Sequence, residues 1–157
     1  MLMLIFWVED DRYAVPVHQI VEVVPLVKLR KLAHASGAIA GVLRYRDRLV
    51  PVIDLSQVLR HQPSQNHLST RIVLVNSTLG DALPEPAVVG LMAERVVETA
   101  NYAVDPGAQV GGAQVSYLGH ILVEDQSLIQ CLDPEALLAD WSGLLLPLLQ
   151  QTSGVLR

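Results

Sequence analysis

A chain of 157 residues, 51% apolar and 17% charged, has the material for a buried core and lies outside the composition of disordered chains. Its net charge is −5, and its Lys and Arg residues are dispersed apart from Lys28–Lys31 and Arg44–Arg48, which argues against nucleic acid because phosphate binding needs a sustained basic stripe. The one cysteine, Cys131, permits no intrachain disulfide and no cysteine-rich metal site, in keeping with a reducing compartment.

In chain order, Met1–Val8 and Arg12–Val17 are apolar-rich runs separated by Glu9, Asp10 and Asp11, the pattern of a hairpin. The apolar start is too short for a membrane span and carries no basic leader, so it reads as a first strand of a soluble intracellular protein. His18–Val24 is β-branched after about one helical turn. Val27–Leu32 is cationic and reads as either a strand or an extended connection, and Ala33–Ala40 as a loop. The stretch GVLRYRDRLVPVIDL follows, with strands expected at Gly41–Tyr45 and Leu49–Ile53 around a charged turn at Arg46, Asp47 and Arg48. Asp47 suits such a reversal because its short side chain bonds locally. Pro51 has no N–H and points to an edge, a bulge or interrupted pairing.

Beyond the hairpin, Ser56–Arg60 fits a brief helix capped by Asp54 or Ser56, and residues 61–69 form a polar boundary containing Pro63. Strands are expected at Arg71–Asn76, Ala87–Ala93, Arg95–Ala100, Tyr117–Val123 and Ser127–Leu132. Thr78–Pro86 and Asn101–Gln114 read as irregular connections, and Glu124–Gln126 as a turn. Asp133, Pro134 and Glu135 start a helix as N-cap, first position and dipole partner, running to about Trp141 and stopping near Gly143. Many short strands and one terminal helix indicate an all-β chain of small barrels or a sandwich. The expected division is a single domain of two barrel subdomains over 1–140 and an apolar tail over 141–157. In that tail, Leu144–Leu149 is either core packing or an exposed docking surface.

The hairpin, with its Gly-apolar start at Gly41, Arg46 at the turn and Val50–Leu55 as second strand, resembles the signature of the CheW family of chemotaxis coupling proteins. Tyr13–Val17, Ile20–Val23, Val89–Val97 and Leu128–Leu138 follow in matching order, so the resemblance runs from about Met3 to Leu138. It implies two intertwined five-stranded SH3-like barrels with a groove between them and a short C-terminal helix. It further implies a non-catalytic, cofactor-free, cytoplasmic adaptor that links methyl-accepting chemoreceptors to the regulatory domain of a CheA-type histidine kinase, with self-association as a further property. Carried over to this sequence, the receptor-facing residues are Ile20, Glu22 and Arg46. Asp47 stands where the turn usually has Gly and joins them as a protein-binding residue deciding partner choice. Ser36 replaces a common Pro, and Ala93-Glu94 a frequent Val-Asp. LSTR at Leu68–Arg71 and YLG at Tyr117–Gly119 are similar to adaptors of Wsp-type surface-sensing pathways, whose output is cyclic-di-GMP.

Plainer readings stand beside these. Alone, Arg46 is a solvated turn residue, Ile20 a core residue, and Glu22 a rim carboxylate paired with Arg44 or Lys28. The Lys28, Arg30, Lys31 group is a solvated face or a contact for an acidic surface. The histidines His18, His34, His61, His67 and His120 have no ligand spacing, so metal binding is not expected. A small β-barrel hydrolase using Cys131 or Ser116 with a histidine is the alternative from a different class, and it has no supporting motif. A self-assembly module without receptor binding is the third reading.

Overall fold

Alternating burial along β1, Leu2–Val8, starts the architecture: Leu4 and Phe6 face one cluster of buried side chains, Met3 and Ile5 another. The computed structural model describes residues 1–33, 37–65, 68–77, 79, 87–103 and 117–155. Most of the connections expected at 78–86 and 101–114, together with His34, Ser36, His67 and Ser116, lie outside the described residues. Strand β1 turns at Glu9, whose φ is 54°, into β2, Asp11–Pro16. A single 3-10 turn at Val17–Gln19 leads into β3, Ile20–Pro25. Then come β4, Ile39–Tyr45, β5, Arg48–Asp54, and the helix α1, Leu55–Arg60. Asp54 caps α1, accepting from Ser56 N at 3.0 Å and also from Ser64 N at 2.8 Å. Strands β6, Arg71–Ser77, β7, Ala87–Asn101, β8, Leu118–Glu124, and β9, Ser127–Leu132, complete the strand set among the described residues.

These nine strands build two five-stranded sheets that share β7. One has the order β7-β1-β2-β9-β8, with β2 and β9 parallel. The other runs β3-β6-β7-β5-β4, with β5 parallel to β7. Strands from both ends of the chain make the first and those from the middle make the second, which is the intertwining expected of two SH3-like barrels. Three cores result. Leu43, Val52, Ile72 and Leu74 are clustered in the second sheet, while Met3, Ile5, Ile129 and Cys131 are clustered in the first. The largest joins the two sheets to the helices through Phe6, Val15, Ile53, Leu91 and Leu138. Each fully buried Leu, Ile or Phe contributes roughly 1.5–3 kcal/mol of transfer free energy, so the shared core fixes the sheets together.

Four local features differ from the sequence expectation or decide between its alternatives. The strands expected at Ala87–Ala93 and Arg95–Ala100 are one strand of 15 residues. A bulge at Arg95, φ 44°, lets it pass from one sheet to the other: Phe6 pairs with Val96 and Trp7 with Glu94, skipping Arg95. The Arg95 guanidinium lies 5.0 Å from the Trp7 ring centroid and donates to the Glu9 carbonyl. Val27–Leu32 is a connection carrying one isolated bridge, Arg30 to Val42. Pro51 sits one residue before the pairing of β5 with β7 begins at Val52, where its missing N–H costs no ladder bond.

The C-terminal helix is the fourth difference. α2, Pro134–Asp140, begins as expected, with Asp133 accepting from Glu135 N at 3.1 Å. The chain does not stop near Gly143, however: Leu144 and Leu145 both donate to the Trp141 carbonyl, and α3 runs over Ser142–Val155 with Pro147 inside it. Gly and Pro together cost a helix about 4 kcal/mol. Burial of Leu145 and Leu149 in the shared core is worth about as much and offsets it. These two leucines are core, whereas Leu144 is exposed. Among the described residues no helix is long and apolar enough to cross a membrane.

Candidate protein-binding site

The β4–β5 turn is made by two residues with positive φ, Arg46 at 45° and Asp47 at 62°. Hairpins favour such turns because their twist matches that of the strands, and an acid at the second position tolerates the left-handed region better than most side chains. Asp47 is held back over the turn by Arg44, whose Nη2 lies 3.4 Å from its carboxylate. Arg46 folds the other way, its guanidinium 5.2 Å from the centroid of the Tyr45 ring and Nη2 3.9 Å from Glu22 Oε2. Tyr45 donates its hydroxyl to the same Glu22 oxygen. That hydrogen bond pushes the Tyr45 pKa up and keeps the phenol a donor.

Glu22, Tyr45 and Arg46 thus form one cluster across two parts of the chain, β3 and the hairpin tip. With 77% of the Arg46 side chain and 43% of the Glu22 side chain exposed, the pair contributes little to stability and remains open to a partner. Of the four expected binding residues, Glu22 and Arg46 are brought together and Asp47 sits beside them, tied to Arg44. Ile20 is half-buried, opposite Val75 at the start of β3, and packs against the shared core. Glu22 pairs with Arg46, in place of the Arg44 or Lys28 suggested by charge alone. Tyr45 joins this cluster from outside the four expected residues. Its signal was an aromatic residue next to a charged turn. Among the described residues β3 ends its sheet, and beside Glu22 it exposes Val21 and Val23, so the cluster borders a strand edge with apolar side chains on it.

Among the described residues, Cys131 is not placed as a hydrolase nucleophile. Cys131 is buried, and that burial pushes its thiol up to about 11, so it stays protonated at neutral pH. A cleft lined by Asp11, Tyr13, Leu59, His61, Tyr117 and Gln130 opens beside α1, and neither Cys131 nor His120 lines it. Among the described residues no group of three His, Cys, Asp or Glu could hold a metal ion.

Two interlocked β-barrels and a helical C-terminus, with a polar cluster at one hairpin tip, define the class of fold. Residues 2–141 match the CheW-like domain, and the chain belongs to the CheW family. Members of that family are non-catalytic scaffolds of chemotaxis signalling. Among solved structures, the scaffolding protein TtCheW from Thermoanaerobacter tengcongensis is similar, with a TM-score of 0.71 and 21% identity over 85% of this chain and 84% of that one. At that identity the likeness establishes the fold. No curated protein matches.

Proposed function

We propose that this chain is a non-catalytic cytoplasmic adaptor coupling methyl-accepting chemoreceptors to the regulatory domain of a CheA-type histidine kinase. The observation that carries the reading is the Glu22–Arg46 contact: two residues far apart in sequence meet at an exposed hairpin tip where they add little to stability. The exposed Val21 and Val23 supply apolar surface next to them, with the half-buried Ile20 at the start of the same strand, the mixture usual at the edge of an interface. Asp47, in the place of a Gly, tunes which receptor is accepted. The LSTR and YLG segments support the finer reading of a Wsp-type pathway with cyclic-di-GMP output.

Titration calorimetry tests the reading. The folded chain is expected to bind both a receptor cytoplasmic-tip fragment and the kinase regulatory domain. Arg46→Ala is expected to weaken receptor binding about tenfold, or about 1.4 kcal/mol. Its melting temperature should move by no more than about 2 °C, because an exposed side chain carries little packing energy. A large loss of stability with unchanged receptor affinity would make Arg46 structural.

A further inference from the structure

We propose that Tyr45 is a positioning residue that pre-orients the Arg46 guanidinium and the Glu22 carboxylate for a partner. The inference rests on the adaptor reading for the identity of that partner, and on geometry for the role of Tyr45.

Arg and Glu are rotamer-rich, and an exposed pair must be ordered when a partner binds. Tyr45 does part of that ordering beforehand. Its ring packs against the core of the second sheet, so it is an extension of a rigid body rather than a free surface side chain. Over that ring lies the Arg46 guanidinium, in the arrangement of a cation over an aromatic face. From the ring edge, the hydroxyl reaches Glu22 on β3. Both the phenol and Arg46 use the same carboxylate oxygen, Oε2, and no described residue donates to Oε1. The Glu22–Arg46 pair therefore presents an open carboxylate oxygen beside a guanidinium, both held by the same tyrosine.

Neither the turn nor the fold requires this. The turn needs positive φ at Arg46 and Asp47, and Tyr45 precedes both. At position 45, opposite Arg48 at the end of β4, the strand pairing is made by the backbone and the side chain contributes packing against the second core. A leucine there would preserve the packing and lose both polar functions, which separates positioning from structure.

Three forms of the full chain make the test: wild type, Tyr45→Phe, which keeps the ring and loses the hydroxyl, and Tyr45→Leu, which loses both. In the free protein, nitrogen relaxation of the Arg46 Nε–H group is expected to report a restrained side chain in wild type, a looser one in Tyr45→Phe and a mobile one in Tyr45→Leu. Dissociation of a receptor cytoplasmic-tip fragment is expected to quicken about threefold in Tyr45→Phe and about tenfold in Tyr45→Leu, with melting temperatures nearly unchanged, since pre-organisation acts through the ordering cost. Arg46 as mobile in wild type as in Tyr45→Leu, or equal dissociation rates in all three forms, would overturn the proposal. Failure of the wild type to bind the fragment would defeat the adaptor reading, and the relaxation measurement would then decide the positioning role by itself.

Discussion

Replacing Gly41 by alanine is expected to destabilise the fold by about 3 kcal/mol, the sum of backbone strain and overpacking. At φ 149°, Gly41 holds a conformation that residues with a Cβ rarely adopt. An added Cβ would lie 2.6 Å from the Arg30 carbonyl oxygen and 3.0 Å from Leu29 Cβ. That carbonyl cannot move away freely, because it accepts from Val42 N at 2.9 Å while Arg30 N donates to Val42 O at 3.0 Å. The variant must break this bridge or distort β4, and a domain of marginal stability feels either one. Denaturant unfolding of Gly41→Ala beside Gly37→Ala measures the effect. At Gly37 an added Cβ meets nothing closer than Gln57 at 3.9 Å, so that control is expected to stay within about 1 kcal/mol of wild type. Equal stability of the two variants would mean that the connection before β4 does not approach Gly41 closely.

Leu145→Ala is the second large effect, at about 3 kcal/mol. Leu145 is fully buried in the core that joins the two sheets to the helices, and α3 packs there in company with Ile53, Leu55 and Leu138. Its neighbour Leu144 points to solvent at 41% exposure, so Leu144→Ala should cost less than about 1 kcal/mol. Thermal unfolding of the two variants separates the two roles available to the apolar tail. A large difference makes α3 part of the core. Two small effects would return the tail to an exposed docking surface.

The hairpin from Gly41 to Leu55 was the most legible part of the fold because local signals agree there: apolar runs, a charged turn and a helix cap at Asp54. The two strands expected at Ala87–Ala93 and Arg95–Ala100 are divided in the sequence by Glu94, a charge in an apolar run. In the fold Glu94 is 5% exposed and accepts from Gln65 N at 3.0 Å, and Arg95 absorbs a bulge. Only tertiary contacts reveal that. α3 was hidden for a related reason: Gly143 and Pro147 lower its helix propensity, and the burial that offsets them depends on strands far away in sequence.

The site was legible in part. Arg46 and Glu22 follow from the family resemblance, since charge alone offers Glu22 a salt bridge to Arg44 or Lys28. The hairpin is encoded locally, but their meeting also depends on the long-range pairing of β3 with β6, which no local pattern encodes. Asp47 was noticed as a departure at the turn, and the positive φ there gives that departure a physical meaning. Tyr45 was passed over as an ordinary strand residue, because the hydroxyl contact that distinguishes it crosses between elements.

The central claim is coupling, and co-sedimentation tests it most directly. Receptor-containing membranes are mixed with a CheA-type kinase, with and without this chain, and the kinase in the pellet is measured. The kinase is expected to pellet with the membranes only when the chain is present, and less of it when the chain carries Arg46→Ala. Kinase that stays in the supernatant with the folded chain present would contradict the account.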